Sequence, residues 1–147
     1  MHITRYTDYS LRVLIYLAIN SKQLATINDI AKSYNISKNH LMKIVQQLNL
    51  RGYLLATRGK NGGIKLNLAA KQINIGALVR EFEHSNKLVE CFGENNQCVI
   101  TSTCQLKQIF AQAQESFYQT LDKFTLADLV GAEKQPELAS ILAIDAA

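Results

Sequence analysis

Apolar positions recur at helical spacing along most of this chain and switch to strand-like alternation in one short stretch. Leu11, Leu14, Ile15 and Ala18 share one face of a helix predicted over Asp8 to Asn20, with Thr7 as N-cap and Asp8 in the first turn. Thr26 and Asp29 then form a capping-box pair ahead of Ile30 and Ala31, predicting a short second helix that ends near Tyr34, with Asn35 in the turn. Ser37 is placed to cap a third helix, whose stripe of Leu41, Ile44, Val45 and Leu48 runs to about Arg51 before Gly52 stops it. Two helices joined by so short a turn make a helix-turn-helix. After Gly52 the period changes. YLLATR and IKLNL read as strands around GKNGG, whose Asn-Gly-Gly supplies the positive φ angles of a tight hairpin.

A fourth helix is predicted over Ile75 to Glu83, followed by the irregular stretch LVECFGENNQCVITSTC. From Thr103 the pattern resumes with Leu106, Ile109, Phe110, Ala113, Phe117 and Leu121, a seam near a 3.5-residue period. One such helix cannot bury that seam in so small a chain, so the seam is expected to pack against its copy in a homodimer; packing on its own domain is the alternative. TLADLV adds a turn or two of helix, and the tail after Pro136 carries little signal. The expected fold is mainly α with a small β-hairpin: a winged helix-turn-helix region over 1–83, a cysteine loop over 84–104, and a dimerisation helix and tail over 105–147, within one compact domain.

Charge changes the picture. Residues 1–80 carry 12 Lys/Arg against Asp8 and Asp29 alone, a net of +10, whereas 81–147 set 4 Lys against 10 Asp/Glu, a net of −6. A front half that basic suits a polyanion, because neutralised phosphates release their counterions. No apolar run approaches the roughly 18 residues of a membrane span, and no charged leader precedes an apolar stretch, so a cytoplasmic, non-membrane protein is expected.

The partner expected from these features is double-stranded operator DNA. Projected at helical pitch, Asn39, Lys43 and Gln46 lie opposite the buried stripe of the third helix, Ser37 and Lys38 stand at its N-terminus, and His40 and Met42 flank it. Asn and Gln read adenine edges, Lys reaches guanine or phosphate, and Arg58 and Lys60 at the hairpin tip suit phosphates or a minor groove. Each alone could be ordinary solvated surface; their joint occurrence argues for DNA.

Cys91, Cys98 and Cys104 are separated by six and five residues, looser than a zinc knuckle. An odd number of cysteines argues against a disulfide framework. Cys104 opens the long helix, where the dipole favours a thiolate or an anionic cluster. Spacing alone leaves an iron-sulfur cluster, zinc and free redox thiols open. His2, His40 and His84 lack ligand spacing, and His84 reads as a surface residue at a helix end. No nucleotide glycine fingerprint, Ser/His/Asp grouping or carboxylate pair is present, so no enzyme and no catalytic residue is expected.

TDYSLRVLIYLA, DIAKSYNISKNHLMKIVQQL, RGYLLATRGKNGGIKL and IGALVREFE together resemble the Rrf-two family of bacterial winged-helix regulators over about residues 1 to 131. SKNHLMKI, RGKNGG, the cysteine loop and FTLADLV are similar to the nitric-oxide-sensitive repressors of that family. The resemblance implies a homodimer, an iron-sulfur cluster on the three cysteines, nitric oxide as effector and repression of genes that detoxify it. It points to 4Fe-4S slightly ahead of 2Fe-2S. Iron-sulfur assembly regulators of the family carry a histidine ligand soon after the third cysteine, but CQLKQIF has Lys107 and no histidine. The resemblance points instead to Asp8 of the partner subunit as fourth ligand; a carboxylate complementing the helix dipole is the plainer reading. The alternatives to this function are a cluster-free or iron-sulfur-status regulator of the same family and, more remotely, a small iron-sulfur redox protein.

Overall fold

A computed structural model describes residues 1–145. Its helices are α1 (Arg5–Ile19), α2 (Ile27–Tyr34), α3 (Lys38–Leu50), α4 (Ile75–Glu83), α5 (Gln105–Leu121), α6 (Leu126–Leu129) and α7 (Gln135–Ile141), with strands β1 (Leu54–Thr57) and β2 (Gly63–Leu66). The mainly helical architecture with one small hairpin is as the periodicity predicts.

α1 starts three residues earlier than expected. Its N-cap is Thr4, whose hydroxyl accepts the Thr7 amide at 3.3 Å. Thr7 is buried in the first turn, and its hydroxyl donates to Glu83 instead of capping the helix. A partner 76 residues away leaves no trace in local spacing. α1 is the centre of the molecule: Val13, Leu14 and Leu17 are buried, and the helix packs against α3, α4, α6, α7 and β2.

The capping box of α2 forms as predicted: the Asp29 amide reaches Thr26 Oγ1 at 3.1 Å and the Thr26 amide reaches Asp29 Oδ2 at 3.0 Å. Asn35 turns the chain in the left-handed region at φ 53°. Ser37 holds the N-cap position of α3 without a side-chain bond, and Leu41, Ile44, Val45 and Leu48 are buried. Gly52, at φ 81°, ends α3 in a Schellman arrangement: its amide bonds Asn49 O and the Tyr53 amide bonds Leu48 O.

β1 and β2 pair antiparallel from Leu54–Leu66 to Thr57–Gly63, and Ala25 bridges Ile64 on the open side of β2. Buried Leu54 and Ile64 press this wing onto the helices. The hairpin's positive φ lies at Gly59 (106°) and not in Asn-Gly-Gly. Gly62 is needed for space instead: a Cβ there would stand 2.1 Å from the Thr57 carbonyl oxygen.

Asn74 caps α4 by accepting the Ala77 amide at 2.9 Å and ties it to α5 by donating to Asp122 O at 2.7 Å. Arg80 forks onto Glu115 at 2.8 and 3.0 Å, reaches Asp122 at 2.8 Å and lies over the Tyr118 ring. The C-terminal segment returns to α1 and α2. Leu126 is fully buried, its amide on Ile73 O, and α7 carries the chain on to Ile141, with Leu142 in the core and Ser33 Oγ bonded to its carbonyl at 2.7 Å. That tail is legible only through its contacts, because its apolar residues are too few to set a period.

Candidate DNA interface and cysteine loop

α3 and the wing enclose an open groove lined by Asn39, Met42, Lys43, Gln46, Asn49, Ala56 and Arg58. Four of the expected DNA contacts are thus gathered on one surface, because the buried stripe of α3 turns Asn39, Lys43 and Gln46 outward and the hairpin brings Arg58 alongside. Ser37 and Lys38 are exposed at the leading end of α3, and Lys60 is exposed at the wing tip, outside the groove lining. His40 is exposed too, but its ring stands edge-on to Tyr9 of α1 at 5.5 Å, so it bridges α3 to α1. Asn49 was not among the expected residues. Its Oδ1 accepts the Ala56 amide at 3.1 Å, fixing the wing against α3. The signal was there: Asn49 lies three residues beyond Gln46 on the same helical face.

Asp8 lies on the first turn of α1, half-exposed, and accepts both Nε (3.1 Å) and Nη2 (2.8 Å) of Arg12. The Arg12 guanidinium lies over the Tyr9 and Tyr34 rings, at 5.3 and 5.9 Å. Burial pushes the Tyr34 hydroxyl up to about 12, against the opposing pull of Arg12. A chain of contacts therefore runs from Asp8 through Arg12 and Tyr9 to His40 on α3.

Residues 84–104 carry the three cysteines, all free. Cys91 sits half-buried in a 3₁₀ turn (Glu90–Phe92), Cys98 is exposed, and half-buried Cys104 is the N-cap of α5, without a side-chain cap bond. Side chains hold the loop in shape. Glu90 Oε1 accepts the Gln97 amide at 2.7 Å, Asn96 Oδ1 accepts the Cys98 amide at 3.0 Å, and Asn96 Nδ2 donates at 2.8 Å to Thr101 Oγ1, which donates at 2.8 Å to Cys98 O. Three thiols on one polar loop are a soft donor set that suits iron-sulfur chemistry. Among the described residues, however, no group of three or more His, Cys, Asp or Glu side chains is gathered closely enough to hold a metal ion within one chain.

Sequence reasoning also missed Glu83, buried at the end of α4. Its Oε1 accepts the Thr4 amide (3.0 Å), the Thr4 hydroxyl (2.7 Å) and the Thr7 hydroxyl, and its Oε2 accepts Asn86 Nδ2 at 3.0 Å. Burial pushes the carboxyl up, but the bonds from Thr7, Asn86 and Thr4 outweigh it and hold it below the usual carboxylate range. The available signal was an acid in the last turn of a helix, where the dipole disfavours it unless another helix start receives it.

Along α5, Phe117 and Leu121 rest on the core, but Leu106 and Ile109 are 53% and 57% exposed. In the loop, Val99 is 94% and Ile100 57% exposed. The forward part of the seam is bare in the single chain. No helix among the described residues is long and apolar enough to cross a membrane.

Comparison with known proteins agrees with this architecture. In solved structures, the oxidised form of CymR from Staphylococcus aureus superposes with a TM-score of 0.69 at 25% identity, over 88% of this chain and 95% of that one. T. potens IscR superposes at 0.70 and 21% identity over 88% and 86% of the two chains, a likeness of fold. Among curated proteins, the HTH-type transcriptional regulator NsrR of Bacillus licheniformis is 50% identical over 132 residues, spanning 88% of this chain and 92% of the relative. The protein of the same name from Bacillus subtilis is 48% identical over 88% and 90%. Residues 3–132 match the Rrf2 family, described as iron-dependent transcriptional regulators. With the family matched over nearly the whole chain and a regulator 50% identical over 88% of it, the protein belongs to the Rrf2 family of winged-helix transcriptional regulators, close to NsrR.

Proposed function

We propose that this chain is a cytoplasmic, homodimeric, DNA-binding repressor that senses nitric oxide through an iron-sulfur cluster and controls nitrosative-stress genes. The observation that carries DNA binding is the groove in which Asn39, Lys43, Gln46 and Arg58 converge. Ser37, Lys38, His40 and Lys60 surround it as further contacts. Two copies meeting along the bare forward part of α5 present two α3 helices to half-sites roughly 34 Å apart, one turn of duplex.

Three free thiols on one loop, the iron-dependent description of the family and half-identity to regulators named NsrR support a cluster in that loop. Cys91, Cys98 and Cys104 would hold it, and Asp8 of the partner subunit would complete the donor set. When bound, the cluster would supply iron able to react with nitric oxide. The protein's part is connectivity: Asp8 drawn across the dimer gives up its fork from Arg12, and Arg12, Tyr9 and His40 carry that change to α3. A three-cysteine set completed by a carboxylate suits 4Fe-4S and is also compatible with 2Fe-2S.

Anaerobic purification with iron and sulfide counts, followed by nitric oxide titration against absorbance and DNA binding, tests this reading. A visible charge-transfer band that bleaches together with loss of DNA binding is expected. Colourless protein that binds DNA regardless of nitric oxide would leave a cluster-free regulator.

A further inference from the structure

Thr4 alone could cap α1, yet the chain buries a carboxylate, 4% exposed, against that cap. Burying a charge is costly unless hydrogen bonds replace its water, and here four do so. The two oxygens of Glu83 divide the work. Oε1 takes three donors from the N-cap and first turn of α1, the turn that also carries Asp8. Oε2 takes Asn86, the third residue of the cysteine loop, whose backbone amide also bonds the Glu83 carbonyl at 2.8 Å. Tyr6 against Phe82, ring edge to ring face at 5.4 Å, locks the same two helices one residue away.

Open cavities flank this contact on both sides. One is lined by His2, Ile3, Leu88 and Phe117, the other by His84, Phe92 and Ala111, and Glu83 and Asn86 line both. The loop root is thus bordered by open space, and Glu83 ties it to the start of α1.

We propose that Glu83 is a positioning residue of the sensor, joining the root of each subunit's cysteine loop to the turn that presents its own Asp8. This rests on the cluster-sensing reading above. Each α1 then receives two inputs: its own loop through Glu83, and the partner's loop through Asp8. Loading of the loop changes the pose of α1, and α3 moves with it through the Arg12, Tyr9 and His40 contacts. Without Glu83, the loop still fills but the reading helix no longer registers it fully.

The test uses the full-length dimer and a duplex selected by the wild-type protein from a random pool. Affinity for that duplex is measured with the loop loaded anaerobically with iron and sulfide, and again after removal by chelation, for wild type, Glu83→Gln and Thr7→Val. Melting temperature and visible spectrum are recorded for each. We expect both variants to load with wild-type iron and sulfide counts, while the ratio of loaded to cluster-free affinity falls about tenfold. Thr7→Val keeps the shape of the side chain and so reports the bond even if Glu83→Gln folds poorly. An unchanged ratio in Thr7→Val, or equal losses of loaded and cluster-free affinity that follow the melting temperature, would overturn the proposal and leave Glu83 a folding residue. Wild-type protein that takes up no iron or sulfide overturns the sensing reading, and this one with it.

Discussion

The reading region and the cysteine loop are built on opposite terms. Over 1–83, apolar side chains from α1, α2, α3, the wing and α4 close on one another, leaving Leu14, Ile30, Ile44, Leu48, Leu54 and Leu78 without solvent contact. Over 84–104, the shape rests on a few side-chain bonds from Glu90, Asn96 and Thr101, and Val99 and Ile100 face water. A region stabilised by burial is rigid on its own; one stabilised by exposed hydrogen bonds opens at low free-energy cost. The difference separates the two regions: the helix-turn-helix and wing are preformed, and the loop opens more easily.

The comparison breaks most sharply under paired truncations. Leu48→Ala is expected to cost about 2–5 kcal/mol by leaving a cavity in the reader. Val99→Ser is expected to stay within about 0.5 kcal/mol in the cluster-free protein. Urea denaturation measures both, and equal costs would mean that the loop is packed as tightly as the reader.

Lys43→Ala tests the working face without touching the core. It should weaken operator binding by roughly 1–3 kcal/mol with an unchanged melting temperature and cluster spectrum, and unaltered anisotropy titrations would remove Lys43 from the interface. Helix caps sharpen the contrast further. Thr26→Ala removes a satisfied capping box and should cost about 1 kcal/mol. Cys104→Ser places a better acceptor at an N-cap that makes no side-chain bond, so the cluster-free protein should gain about 0.5 kcal/mol while iron uptake falls. A loss of thermal stability in cluster-free Cys104→Ser would show that the thiol already serves the fold.

The smallest effect belongs to Asp8. Its fork with Arg12 is an exposed pair one helical turn apart, so Asp8→Asn should change cluster-free stability by less than about 0.5 kcal/mol. A much larger effect on the loaded dimer, read from its spectrum and DNA affinity, then belongs to ligation rather than to folding.

What was legible in the sequence is what short-range periodicity encodes. The helix-turn-helix, the Thr26–Asp29 box, the Gly52 stop, the hairpin and the extent of α4 follow from spacings of two, three and four residues, because backbone geometry repeats on that scale. The outward positions of Asn39, Lys43 and Gln46 follow from the same period, and the three cysteines were visible as thiols of one irregular stretch. The placement of Thr7, the burial of Glu83, the wing clamp by Asn49 and the docking of Leu142 were not, since each depends on a partner that only chain folding brings near. The turn of the wing shows the limit in miniature: the sequence by itself required glycines there, but only the packed hairpin assigned positive φ to Gly59 and close approach to Gly62. Local conformational preference is written residue by residue; which buried polar groups satisfy one another is decided when the elements pack.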